Sequence, residues 1–479
     1  MKNNSKIETY CNFVGGRLTQ SDHKLLVKDK YTDLTIGEAF YLDESDFETV
    51  LSATLEGFDS LKKISLEQRS EYLNSLFLNL KNKREEFANL ISKEAGKPIT
   101  YAYSEVDRCL ATIKIGVEET LRINGEVIPM GRDNCLEKQA YTQLFPKGPV
   151  FAISPFNFPL NLALHKIVPA IASGCSIVIK PSPLAPLSLL KFSEIISESK
   201  IPKGVVNIIV CEDLISQKFL NSDIFKTFSF TGSPAVGWNL KKLAGKKNVL
   251  LELGGNAAVI VDETSENLSE IARNCAIGSF LYAGQICIST QRIYVSEIIY
   301  QEFKQLIINE IKHLKMGNPT DKETQVGPLI SKDHLERINL WVKEAIKNGA
   351  KLLIGGEIQD VEHNLFKPTL IEDVSKNSKL YYEEAFGPVA TLESFKSFEE
   401  AIEKVNDSKF GLQVGVFTNN IKNMKKSFKD LNVGAVLINS IPGFRIDHMP
   451  YGGVKDSGLG REGIKYSIEE FSEKKLLIY

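Results

Sequence analysis

The stretch "GPVFAISPFNFPLNLALHKIVPAIASGCSIVIK", Gly148–Lys180, decides the fold. It runs from a short apolar segment into a Pro-bounded loop around Asn157. An apolar run of helical length follows, closed by Gly174, and then a second short apolar segment. Three prolines and two asparagines interrupt its first half, which therefore does not read as a membrane span. It reads as strand, loop, helix and strand. The rhythm continues through "APLSLLKFSEIISES" (185–199), "GVVNIIV" (204–210), "FKTFSFTG" (225–232), "SPAVGWNLKKLAG" (233–245) and "KNVLLELGG" (247–255). Short apolar strands alternating with helices imply a parallel sheet covered on both faces, an α/β fold.

A second βα series starts near Ala257 with "AAVIV", a helix through Ala283, "RIYVS" (292–296) and a helix from Ile298 to Leu314. It continues past "WVKEAIKNGAKLLIGG" and "GLQVGVFT" to about Arg445. Upstream, residues 44–122 read as helices, and "EYLNSLFLNLKNKREEFANLISKEAGKP" keeps helical spacing up to Gly96 and Pro98. "EVIPMGRDNCLEKQAYTQLFPKG" (126–148) reads as an exposed hairpin. The terminal "FSEKKLLIY" reads as a strand with no partner nearby. An unpaired arm and tail suggest pairing with another subunit.

Bulk properties narrow the function. The chain has 479 residues, enough for two or three domains, with 43% apolar and 25% charged residues. A net charge of −2 offers no global field to recruit nucleic acid or acidic lipid. "MKNNSKIETY" lacks the apolar core of a secretory signal. Seven scattered cysteines argue against a disulfide framework, and neither a CxxC pair nor a histidine cluster suggests a metal site. A reducing cytoplasm is expected.

Four segments carry the chemistry. Asn157 is either a turn asparagine or an amide donor for a developing oxyanion. "FSFTGSPAVG" runs a strand through Gly232 and Ser233 into a helix, which is either an ordinary turn or an anion-binding concavity. It is not the GxGxxG dinucleotide fingerprint. Lys180 leaves a buried strand at its carboxyl end, where open α/β sheets bind ligands. Glu252, after three apolar strand residues, is either a paired strand-end carboxylate or a desolvated general base. In "FLYAGQICISTQ" (280–291), Cys287 follows a helix through small residues, as inert filler or as a thiol shown to a cleft. The other six cysteines read as inert.

Taken in order, "SPFNFP", "KPSP", "FTGSPAVG", "ELGG", "GQICIS", "EEAFGP" and "PYGGVKDSGLGREG" closely resemble the NAD(P)-dependent aldehyde dehydrogenase superfamily over nearly the whole chain. The resemblance implies a Rossmann-type cofactor domain (1–125 and 147–256) and an α/β catalytic domain (257–455). An oligomerisation arm and tail (126–146 and 456–479) would bridge a homodimer or homotetramer. Cys287 would be the nucleophile, Asn157 and the Cys287 N–H the oxyanion donors, and Glu252 the base that activates water. NAD or NADP would rest on Ser154, Pro155, Phe156, Lys180, Ser182, Gly232, Ser233, Leu253, Gly254, Glu384 and Phe386. Pro183 stands where NAD-preferring members often carry a glutamate, so both cofactors stay open. Glu252 is present, which favours a free acid over an acyl-CoA product.

The substrate entrance looks polar. Arg108, Asn161 and His165 align with its lining, and Arg445 and His448 approach from the other side. Ile286 and Ile288 keep the reacting end apolar. Singly, Arg108 could be a solvated helix residue and His165 a packed one. Together they suit a short aldehyde with a hydroxyl, carboxylate, phosphate, phosphonate or sulfonate tail. Lactaldehyde, succinate semialdehyde and small phospho- or sulfo-aldehydes are the candidates. A general enzyme for unsubstituted aldehydes is the alternative, and a non-catalytic protein of the same fold a remote one.

Overall fold

The structure is a computed structural model and describes residues 7–479. Its centre is an eight-stranded sheet. In spatial order the strands are Gly458–Leu459, Asn248–Glu252, Thr227–Thr231, Val150–Ile153, Ile177–Lys180, Val206–Ile208, Asn12–Val14 and Arg17–Thr19. The five from Asn248–Glu252 to Val206–Ile208 are parallel. Chain order runs outward in both directions from Val150–Ile153. The boundary with Thr227–Thr231 is therefore a topological switch point, where a crevice opens at the strands' carboxyl ends.

The decisive stretch folds as read. Val150–Ile153 is the strand, Asn161–Ser173 the helix and Ile177–Lys180 the second strand. Every residue of the helix is buried, and Gly174 ends it in the left-handed conformation that glycine adopts without strain. The helix Ile99–Thr120 packs across it and lays Glu105, Cys109 and Thr112 on the contact face. Glu105 satisfies the first turn of the helix by accepting from the Leu160 and Asn161 N–H groups, and pairs with Lys97.

The second sheet has seven strands, ordered Lys351–Ile354, Thr369–Glu372, Val389–Phe395, Arg292–Ser296, Ala258–Val261, Gln413–Phe417 and Ala435–Ile438. Only the first is antiparallel to its neighbour. Buried apolar side chains on Leu268–Phe280, Tyr300–Lys312 and Lys332–Lys347 fill the core on one face. No helix of the described residues is long and apolar enough to cross a membrane.

Several expectations need correction. The tail has a partner in its own chain: Ser472–Ile478 pairs antiparallel with Ala140–Pro146, from Ser472 opposite Pro146 to Ile478 opposite Ala140. The hairpin's other strand, Val127–Ile128, lies on the far side of Ala140–Pro146. Residues 456–470 are not tail. Gly458–Leu459 extends the first sheet, and Ile464–Glu470 packs on Asn161–Ser173. The helical stretch before Gly96 breaks at Lys83 into Leu66–Asn82 and Arg84–Ala95. The helix expected through Ala283 ends at Phe280, where Tyr282 and Ala283 turn left-handed. Five short strands precede residue 44, none signalled by alternation.

Candidate active site

That left-handed turn aims Cys287. After Phe280 the chain folds back at Tyr282 (φ 51°) and Ala283 (φ 53°), an uncommon conformation for residues with a Cβ. The Tyr282 hydroxyl holds the turn by donating to the Ala95 carbonyl at 2.8 Å. The buried Gln285 side chain bonds the carbonyls of Tyr282 and Pro328 and the Ile330 N–H. Cys287 emerges beside Ile288, Leu412 and Tyr451, with Ile286 alongside. The Tyr451 hydroxyl lies 3.2 Å from its sulfur.

Burial dominates the charges here. It pushes the Cys287 thiol up to about 11, with Tyr451 and Arg445 working in the opposite direction. Asn157 is buried and its amide donates to the Gln285 carbonyl at 3.0 Å, which fixes it on the same turn as the nucleophile. Glu252 ends its strand buried, and one of its carboxylate oxygens has no hydrogen-bond partner. Burial and the negative charge of Glu462 push it well above the usual carboxylate range, as a base poised for water requires. Glu462 stays ionised. Burial alone would raise it, but Lys166 at 2.9 Å and Arg445 hold it well down.

The crevice fits a dinucleotide. The Ser154 and Thr231 hydroxyls are buried without partners, and Ser154 follows its strand at the switch point. Ser233 caps the helix Pro234–Leu243 without a side-chain bond, leaving first-turn N–H groups open to an anion. Lys180 is buried with its amine 3.6 Å from Asp213. Glu384 accepts from the Gly255 N–H at 3.0 Å. A Cβ on Gly254 would lie 2.0 Å from a Glu384 oxygen, so any larger residue there would displace the Glu384 carboxylate. Burial lifts Glu384 to about 8. Phe386 and Phe156 meet edge to face with centroids 5.8 Å apart. Pro155 and Ser182 sit in the loops that follow their strands, and Leu253 is buried beneath Gly237.

Three of the five expected entrance residues, Arg108, His165 and Arg445, converge on one cluster. Arg108 donates to Asp447 at 2.6 Å. His165 meets the same carboxylate oxygen through Nε2 at 2.9 Å, and its Nδ1 lies 3.4 Å from the Arg445 guanidinium. That guanidinium stacks 3.6 Å above the Tyr451 ring. Asn161 accepts from Thr112 at 3.1 Å, and its amide nitrogen is buried without a partner. His448 is exposed and makes none of these contacts. Burial and Arg445 lower His165, which is therefore neutral near pH 7. Burial would raise Asp447, but His165 and Arg108 hold it far below the usual range.

Tyr451, Asp447, Glu462 and Lys166 were not foreseen. Lys166 had a signal, because a lysine inside a mostly apolar helix demands a buried partner. Asp447 had none, being one loop acid among many.

Comparison with known proteins agrees with this geometry. The profile of the aldehyde dehydrogenase family matches residues 18–477. A 3-sulfolactaldehyde dehydrogenase from Priestia aryabhattai is 38% identical, over 99% of this chain and 98% of its own. A lactaldehyde dehydrogenase from Methanococcus maripaludis is 40% identical, over 94% and 96%. Aldehyde dehydrogenase 21 from Physcomitrella patens, solved with the reaction product succinate, superposes with a TM-score of 0.96 at 38% identity, over 99% and 98%. The chain belongs to the aldehyde dehydrogenase family, and is an oxidoreductase that uses NAD or NADP.

Proposed function

We propose that the enzyme oxidises a short aldehyde with an anionic or strongly polar far end and releases the free acid. One observation carries this reading. The Arg445 guanidinium lies 3.6 Å over a tyrosine ring whose hydroxyl is 3.2 Å from the nucleophilic sulfur. A fixed positive charge thus stands about one aromatic ring from the reacting carbon. The relatives fit: one is named for a sulfonated lactaldehyde, and one holds a dicarboxylate product.

In this reading the Cys287 thiolate attacks the carbonyl carbon, and Asn157 and the Cys287 N–H stabilise the oxygen as it gains charge. A bound nicotinamide would supply the hydride acceptor, and loss of hydride leaves the Cys287 adduct as a thioester. Glu252 then takes a proton from water, whose oxygen attacks the thioester and displaces the thiolate. The Ser154, Lys180, Gly232 and Ser233 side of the crevice holds the dinucleotide, and Glu384 a ribose. Pro183, close after Lys180, puts no carboxylate against a 2′-phosphate, so NADP is accepted beside NAD. Lactaldehyde, succinate semialdehyde, sulfolactaldehyde, propanal, hexanal and benzaldehyde, each run with NAD and with NADP, form the test. The polar aldehydes should lead in kcat/KM. A lead for hexanal or benzaldehyde would make this a general aldehyde dehydrogenase.

Assembly is part of the proposal. Among the described residues the outer edge of Ser472–Ile478 is unpaired, and Leu476, Leu477 and Ile478 are about half exposed. Ala435–Ile438 is likewise an edge strand, beside Phe428 at 82% exposure. Two copies that cover these edges would form a homodimer, or a dimer of dimers. Deleting residues 470–479 should give smaller or aggregated species in light scattering; an active monomer would refute it. The seven free cysteines suit a cytoplasmic setting.

A further inference from the structure

The charges at the substrate-tail end do not cancel, and their imbalance is specific. Three elements supply them. Arg108 comes from the helix Ile99–Thr120, Lys166 from Asn161–Ser173, and Arg445, Asp447 and Glu462 from the chain between residues 439 and 463. Lys166 and Glu462 form a buried pair at 2.9 Å. Arg108 and Asp447 form a second pair at 2.6 Å, with Asp447 only 3% exposed. His165, neutral, bridges Asp447 to Arg445. Arg445 is left as the charge without a carboxylate of its own, since Glu462, at 3.4 Å, is held more closely by Lys166. One Arg445 Nε–H is also buried with no partner.

We infer that Asp447 is a specificity-determining residue: it holds the tail site at a single positive excess, so that the enzyme takes monoanionic aldehydes in preference to dianionic ones. The inference rests on the anionic-tail reading above. A carboxylate or sulfonate tail brings one negative charge, which the free excess balances. A fully ionised phosphate or phosphonate brings two, and the second meets Asp447 across a partly dry site. Like charges there are strongly disfavoured. Without Asp447, Arg108 would be free to take the second charge.

The probes are 3-sulfopropanal, 3-phosphonopropanal and butanal, which match in chain length. They are run on the full-length enzyme with saturating cofactor, at constant ionic strength and at a pH where the phosphonate is dianionic. Wild type should favour the sulfonate over the phosphonate. Asp447→Asn should shift the phosphonate-to-sulfonate ratio of kcat/KM upward by about tenfold or more. Adding Arg108→Gln to Asp447→Asn restores the single excess and should return the ratio toward wild type. Loss of a merely structural contact predicts no such return. Asp447→Glu, which keeps the charge, should keep the sulfonate preference. Should Asp447→Asn not fold, Arg108→Gln alone, at a partly buried position, should cut the phosphonate rate more than the sulfonate rate. An unchanged ratio in Asp447→Asn, a double variant that fails to return, or equal losses in Arg108→Gln would overturn the role of Asp447. Wild type favouring butanal over both anions would instead overturn the anionic-tail reading itself.

Discussion

Two ends of one cleft treat charge in opposite ways. Around Cys287 the neighbours are Ile286, Ile288, Leu412 and Tyr451, and burial sets the titration: the thiol and Glu252 both move up. Around Arg108 the neighbours are themselves charged, and pairing sets the titration: Asp447 and Glu462 move down despite burial. The first environment makes groups reluctant to ionise and therefore reactive when they do. The second keeps charges permanently in place for recognition. Arg445 belongs to both. It contacts the tail cluster through His165 and opposes the upward shifts of Cys287 and Glu252.

The contrast can be broken at several points. Cys287→Ala should lower turnover by about 10⁴-fold or more while dinucleotide binding, read by fluorescence titration, persists, because the sulfur forms the covalent bond. Substantial residual oxidation would remove the nucleophile from this end. Glu252→Gln should slow thioester hydrolysis by about 10²–10⁴-fold. Rapid mixing should then show a burst of NAD(P)H before a slow steady state, or mass spectrometry an acyl-enzyme. Unchanged steady-state turnover would exclude Glu252 as the base.

Arg108→Leu acts at the other end. It leaves the Asp447 carboxylate without its partner at the tail site, and that repulsion should cost an anionic aldehyde about tenfold to hundredfold in kcat/KM. Propanal should lose far less. Arg445→Leu should hurt both substrates near pH 7, because it also removes a charge that favours the thiolate. Its propanal rate should recover as pH rises, and equal losses at every pH would mean simple misfolding. The smallest effect belongs to Tyr451→Phe. Burial pushes the Cys287 thiol up to about 11, so alkylation of Cys287 should accelerate through the alkaline range. The tyrosine hydroxyl favours the thiolate, so its loss should move that profile further up. The rate near pH 7.5 should fall by about twofold to tenfold, with the gap closing at high pH. Identical profiles for the two proteins would mean the hydroxyl does not contact the sulfur.

The same contrast explains what the sequence could disclose. The parallel sheet was legible because its strands are buried on both faces and read as unbroken apolar runs between helices. Glu252 stood out because a carboxylate at the end of such a run has nowhere wet to go. The tail end was half legible. Arg108, His165 and Arg445 are the right types, but their partner Asp447 lies 339 residues beyond Arg108, and only the folded chain brings the two together. The partner of the last strand was hidden for the same reason, with Ile478 paired to Ala140 across most of the chain. The strands before residue 44 escaped notice because they are short and mostly polar on the outside.

That pairing of the last strand bears on how the enzyme is born. On a ribosome the hairpin at residues 126–146 emerges long before Ser472–Ile478 exists, so Ala140–Pro146 waits with one edge bare. Gly458–Leu459 must likewise arrive before the first sheet gains its outermost strand, and Glu462 before Lys166 is neutralised. Nascent chains stalled short of residue 458 should therefore expose sticky edges and a buried lysine without its counter-ion. The emergence of residues 458–478, rather than any earlier step, would commit this protein to its native state.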